Sequence, residues 1–329
     1  MLARVAHALF ALAHDLERAE GLARLLETGH ALALESHAAD GRASEAVWEP
    51  LVAVAGDPEE FHRTHLRADA RSVSWAFAFD IEDPTSIAAA LTRARANAMS
   101  VRDTLPTEVW EAINGAAMEP GRWPPKRVAR EGVYPFCRDI RRAGHQIAGV
   151  MDHAMRRDEA WEFMCLGRFL ERADFTVRMV AVRYGSASAS PDGGTWTMPV
   201  GHPVADEARL LIDGVGIAPE TMSRLLMLDE GSPRSVAFGM LQLERAIMRL
   251  ADMGSIAPDP PALTLARAAR GMLAVGAGGS WAPADVDALG ERMIARLGSI
   301  AQAIADSCFL AAHDASIGRH AQASRQAQN

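Results

Sequence analysis

Two short charged runs hold the residues best placed to do chemistry. Glu17-Arg18 and Glu171-Arg172 each lie inside a Leu-Glu-Arg-Ala tetrapeptide, followed by Glu20 and Arg24 in the first copy and by Asp174 and Arg178 in the second. A helix turns about 100° per residue, so an adjacent Glu and Arg diverge and cannot neutralise each other. Positions three and four apart share a face, which groups Glu171 with Asp174 and Arg178, and Glu17 with Glu20 and Arg24. His14 stands in the first copy where Arg168 stands in the second. The surrounding stretch 161–182 is apolar nearly all round: Leu166, Leu170, Ala173 and Val177 form one stripe, and Trp161, Cys165, Phe175 and Met179 lie elsewhere on the circumference. Charges on such a helix are buried and need partners. The simplest arrangement is reciprocal, with Glu17 near Arg172 and Glu171 near Arg18 across facing helices. Two chemistries fit. One is a buried ion network that fixes how two halves dock. The other is an arginine-lined pocket for a carboxylate or phosphate, with Glu17 or Glu171 handling a proton or an amine. Either way the candidate site residues are Glu171, Arg172, Arg168, Arg178, Asp174, Glu17 and Arg18.

Other combinations carry weaker signals. Glu59, His62 and His65 have a spacing that could present metal ligands on one helical face, but no second helix repeats it, so a solvated face is expected and no metal or cofactor. His145, Asp152 and His153 suit a helix stripe as well as a site. Cys308, His313 and Asp314 have the composition of a thiol triad, yet lie on one predicted helix, whereas nucleophile and base normally converge from different elements. The three cysteines are far apart and are expected to be free thiols. Trp123-Pro124-Pro125-Lys126-Arg127 reads as an exposed, aromatic and basic loop, a reasonable docking point for a partner. A formal net charge of -8 argues against nucleic-acid binding. Lys126 is the single lysine, and no phosphate-binding GxxxxGK[ST] loop occurs. Asp15, Glu17, Arg18 and Glu20 interrupt the first apolar stretch too early for a signal peptide, and no run reaches membrane-spanning length, so the expected location is the cytoplasm.

The elements positioning these residues read as helices throughout. Ala, Leu, Arg and Glu dominate, and helical periodicity covers 2–36, 44–68, 85–103, 107–117, 134–155, 157–184, 203–214, 217–228, 233–253, 260–275 and 283–314, with loops at 118–132, 185–199 and 254–261. No stretch alternates as a strand should. A second motif also recurs: Asp83-Pro84-Thr85-Ser86-Ile87 returns as Ser232-Pro233-Arg234-Ser235-Val236, roughly 150 residues later, as the Leu-Glu-Arg-Ala run does. Both pentads predict a helix start with Asp83 or Ser232 as cap and the proline at the first helical position. Two motifs repeated in one order predict an all-α helical bundle of two pseudo-repeated halves, 1–132 and 133–315, packed as one compact unit, with a polar tail at 316–329.

The segment 145–180, with Gly149, Met151, Asp158, Phe163, Leu166-Gly167-Arg168 and Leu170-Glu171-Arg172-Ala173-Asp174, resembles the bacterial alpha-E family. Both helix-start pentads, Ala94-Arg95-Ala96-Asn97-Ala98, Arg102-Asp103, Glu108, Trp110 and Asn114 extend that resemblance to roughly residues 1–315. In the first motif the family's usual aromatic pair and Gly-Arg are here Leu9-Phe10 and Ala13-His14, and Arg95–Met99 lacks a Glu and a second Arg often found there. The family is all-helical and tends to occur beside, or fused to, circularly permuted ATP-grasp and transglutaminase-like proteins. The resemblance therefore implies an accessory or partner protein of an ATP-grasp-type ligase that forms or modifies peptide or amide bonds. Its partners would be that ligase, a transglutaminase-like protein and a peptide substrate, with no nucleic acid and no membrane; an oligomer is compatible with it. The alternatives are a peptide- or amide-modifying enzyme using the Glu-Arg cluster, and a purely structural scaffold.

Overall fold

A computed structural model describes residues 1–39, 44–188, 219–279 and 281–310. The helices among them, in chain order, are α1 (Ala3–Ala39), α2 (Ser44–Ala55), α3 (Pro58–Thr64), α4 (Ala70–Phe79), α5 (Ile87–Ser100), α6 (Thr107–Ala117), α7 (Pro125–Glu131), α8 (Tyr134–Ala154), α9 (Glu159–Ser188), α10 (Pro219–Leu228), α11 (Val236–Asp252), α12 (Pro261–Ala277) and α13 (Pro283–Ile304). No strand occurs among the described residues, and no helix there is long and apolar enough to cross a membrane. The predicted helix 203–214, the end of the 185–199 loop and the 316–329 tail lie outside the described residues.

Helices α1 and α9 form the axis of the bundle. They pack against each other; α5 and α8 lie on α1, while α11 and α13 lie on α9, and α6 and α12 each bridge the outer pair on their own side. Being wrapped on several sides explains why both axial helices are apolar around most of their circumference. Leu9, Leu12, Leu22 and Leu26 of α1 are buried, as are Met164, Leu166, Ala173 and Val177 of α9.

Local capping departs from the sequence reading in an instructive way. Helices α5 and α11 start three residues later than their pentads predict: Ser86 Oγ accepts from Ala89 N at 3.0 Å, and Ser235 Oγ accepts from Phe238 N at 3.0 Å. Pro84 and Pro233 therefore precede the cap instead of following it, leaving their carbonyls free to accept from arginines. The predicted helix 44–68 breaks at Gly56-Asp57-Pro58, where Asp57 caps a new helix. Helix α4 is missing from the sequence reading because Ser, Val, Trp and Phe weaken its propensity. Its capping box, Asp69 with Ser72, was the available signal. The stretch 118–132 is no open loop either. It contains α7, and Trp123 is buried against Phe136 with the Arg127 guanidinium stacked on its ring at 3.6 Å.

The α1–α9 crossing is close because residue 167 is glycine. A Cβ there would collide with the Phe10 carbonyl, which is backbone and cannot swing away. Gly167→Ala should therefore destabilise by about 2–3 kcal/mol or more. Gly149→Ala, on the exposed face of α8 with no atom within 4 Å of the new methyl, should be neutral or stabilise by up to about 1 kcal/mol. Thermal and urea unfolding of the two variants compares them directly; equal stabilities would contradict the close crossing.

Candidate functional site

The crossing lays the two charged motifs against each other. Arg172 Nε and Nη2 donate to the two oxygens of Glu17, each at 2.6 Å, with both side chains 6% exposed. Arg172 Nη1 donates to the Pro233 carbonyl at 3.1 Å. In the other direction Arg18 Nη1 donates to Glu171 Oε1 at 3.1 Å, His14 Nε2 lies 3.0 Å from Glu171 Oε2, and Arg18 Nη2 donates to the Ala55 carbonyl. The reciprocal pairing expected from the sequence holds in both directions. Arg168, the counterpart of His14, approaches Glu17 Oε2 only to 3.6 Å.

Each helix also pairs its own acid and arginine one turn apart, and these pairs face different surroundings. Asp174 accepts from Arg178 Nε at 2.7 Å, with both groups partly exposed. Asp15 accepts from Arg93 Nη2 at 2.6 Å on the same side of the crossing as Glu171, and Arg93 Nη1 donates to the Pro84 carbonyl at 2.8 Å. On the opposite side Glu20 accepts from Arg24 at 2.8 Å and 3.1 Å, and also from Arg234, which lies 3.7 Å from Glu17 as well. Arg24 Nη2 is 2.9 Å from His145 Nε2. The seven predicted residues thus separate into two clusters: Glu17, Arg168 and Arg172 in one, Glu171, Arg18, Asp174 and Arg178 in the other. Arg172 and Arg178 share no cleft. Glu20 and Arg24 enter the first cluster, joined by Arg234, which the sequence reading did not single out. Its signal was there: arginine stands in the second pentad where the first has Thr85.

The surroundings set the protonation of these groups. Burial is the largest influence on Glu20 and pushes its pKa up, but the charges of Arg234, Arg24 and Arg172 outweigh it and bring it down to about 2. Arg24 is lowered to about 10, first by burial and then by the charge of Arg234. Burial also dominates at His14 and works against its proton, yet the hydrogen bond and charge of Glu171, with Asp15, raise the net value above 6.5. Glu171 is correspondingly lowered, despite burial, by His14 and Arg18. Beside Glu17 a narrow cavity of about 30 Å³, lined by Leu16, Glu17, Glu20, Gly144, Ile147 and Arg168, has room for roughly two or three waters.

The other candidates do not assemble. Helix α3 ends at Thr64, so His65 lies beyond it and stacks on Phe61, while His62 turns to Glu49 at 2.8 Å. Asp152 pairs with Arg157, and His145 belongs to the Glu20 cluster. His313 and Asp314 lie outside the described residues. Burial raises the thiol of Cys308 to about 11, that of Cys165 to about 12 and that of Cys137 well above its ordinary value. None is a thiolate near neutral pH.

The model of a family named Alpha-E, described as a predicted alpha-helical domain with a conserved ER motif, matches residues 1–309. No curated protein and no solved structure matches the chain.

Two outcomes follow for the crossing. Glu17→Gln leaves Arg172 buried without its counter-ion and should cost about 3–5 kcal/mol. Arg172→Met should cost clearly less, because Glu17 keeps Arg168 and Arg234 nearby; urea denaturation gives the order, and a reversed order would contradict this charge arrangement. His14 binds its proton more tightly folded than unfolded. Its contribution is therefore fully present below pH 6.5 and is lost as pH rises through its raised folded value. Thermal unfolding between pH 6 and 9 should show this decline in the parent and a flatter profile in His14→Gln. Parallel profiles would remove the link to His14.

Proposed function

The chain belongs to the Alpha-E family, matched over residues 1–309, and from that premise we propose that it is an accessory subunit of an ATP-grasp-type ligase that forms or modifies peptide or amide bonds. The observation that carries this reading is the pairing of both motif glutamates across the crossing. Glu17 takes Arg172 on its two oxygens, Glu171 is taken by Arg18 and His14, and the adjoining cavity of about 30 Å³ cannot enclose a whole peptide or nucleotide. A catalytic centre needs groups with unused valence facing a substrate-sized space. These groups instead hold helices together, which suits a partner that works through its surface. A groove of about 920 Å³ between α1, α4 and α7 offers such a surface, with Trp75, 41% exposed, and Val128 among polar residues such as His30, Asp69 and Arg71. An ATP-dependent partner places the protein in the cytoplasm.

The same proposal takes residues 1–132 and 133–315 as duplicated halves. Supporting a duplication, α1 lies between α5 and α8 as α9 lies between α11 and α13, and Ser86 and Ser235 cap corresponding helices; since α8 packs on α1, this correspondence divides the halves after α8 and not at residue 132.

Co-expression with an ATP-grasp-type ligase from the same genome tests the function. The two should co-purify, and ATP turnover should rise several-fold over the ligase alone. Absence of both would overturn the proposal. A folded Glu17→Leu/Arg172→Met double variant should keep the stimulation, since replacing both members of a buried pair by apolar groups is often tolerated. If stimulation vanished while folding and co-purification persisted, the enzyme reading would replace this one.

A further inference from the structure

The two charge clusters at the α1–α9 crossing differ in their sums. Around Glu171, three carboxylates (Asp15, Glu171, Asp174) meet three guanidiniums (Arg18, Arg93, Arg178), with His14 as an added titratable cation. Around Glu17, two carboxylates (Glu17, Glu20) meet four guanidiniums (Arg24, Arg168, Arg172, Arg234), a surplus of two positive charges in a mostly buried setting. His145 adds no counter-charge, being a base whose proton is disfavoured by burial and by these arginines. Uncompensated buried charge is costly, so a surplus of this kind calls for an anion.

Two of the four guanidiniums have donors to spare. Arg24 Nη1 is buried and has no hydrogen-bond partner, on a side chain only 7% exposed. Arg168 makes no hydrogen bond among the described residues, and its ion contact with Glu17 is the long one at 3.6 Å. Arg168 also lines the narrow cavity, whose space depends on residue 144 being glycine. A Cβ there would lie 2.7 Å from Glu20 Oε2. The acids in the cavity wall do not repel a visitor strongly, since Glu17 is held by Arg172, and Glu20 by Arg24 and Arg234.

We propose that this cavity is an anion site for the carboxylate group of a small molecule or a peptide end, gripped by the planar Arg168 fork within the positive field of Arg24 and Arg234. A planar guanidinium fork matches a carboxylate edge, and the narrow cavity takes a head group, not a whole ligand; phosphate, which such a fork also matches, is the comparison. The site does not rest on the proposed partnership with a ligase and is tested on the chain alone.

Acetate is the probe, titrated against the purified full chain in thermal unfolding and calorimetry at constant ionic strength, with chloride and inorganic phosphate as the comparison arms. The expected result is a saturable rise in Tm with acetate but not with chloride. Arg168→Gln should weaken acetate binding about tenfold or more while leaving the acetate-free Tm unchanged or higher, because it removes part of an uncompensated surplus. Gly144→Ala, which intrudes on the cavity, should lose the response as well. Equal responses to acetate and chloride, an undiminished response in Arg168→Gln, or a clear fall in its acetate-free Tm would each overturn the site and make Arg168 a structural counter-ion. A saturable response to phosphate with none to acetate would overturn the carboxylate assignment.

Discussion

The register of α1 against α9 is set first by a two-pronged ion pair, Glu17 with Arg172, buried where the two helices cross. Its formation requires three things at once. The helices must approach closely, which Gly167 permits by presenting no side chain to the Phe10 carbonyl. The third guanidinium nitrogen needs an acceptor, and the Pro233 carbonyl supplies it because α11 begins only after Ser235. Both side chains must be withdrawn from bulk solvent, and each is 6% exposed. A buried pair adds little net stability over apolar packing, but an unpaired member is severely penalised. The pair therefore acts as a register device: any slip of α9 along α1 strands a charge. The second pair, Glu171 with Arg18, enforces the same register from the other side.

Both pairs obey the same geometric rule, yet their neighbourhoods diverge through few positions. His14 replaces an arginine and grips Glu171 at 3.0 Å, so that side is nearly balanced and its charge varies with pH. Arg168 stays 3.6 Å from Glu17, whose two oxygens accept from Arg172. Arg234 then adds a cation where the first pentad has a neutral threonine. The difference between the two sides thus comes down to few residues: one is nearly balanced, and the other carries a surplus of positive charge.

Much of this was legible in the sequence, and what escaped has physical reasons. The angle between adjacent residues on a helix forced each Glu to look for an arginine elsewhere, and the two-fold motif supplied the address. That inference needed no knowledge of loops. Helix α4 escaped because its aromatic and β-branched residues earn their place by packing, not by propensity. The helix starts at Ser86 and Ser235 escaped because proline after Asp83 or Ser232 is equally at home in a turn before the true cap. Trp123 was misread as exposed because a Pro-rich, basic neighbourhood gives no hint that Arg127 folds over the indole and α8 covers it. Arg234 escaped since its partners come from α1, more than half the chain away.

The protonation of the acids bears on what the crossing can do. A general acid or base works best with a pKa near the working pH. Glu20 lies at about 2, and Glu171 is held below its ordinary range, because the charges facing them outweigh the burial that would lift them. Both are fixed anions at neutral pH. Asp15 and Asp174 are raised by burial, but each is tied to an arginine of its own. Acids locked in this way contribute fields and geometry instead of exchanging protons. His14 holds its proton more tightly than a free imidazole, and it faces Glu171, which is already committed to Arg18. What the crossing offers beyond these fixed pairs is the under-compensated arginines around Glu17, whose remaining capacity is to recognise charge.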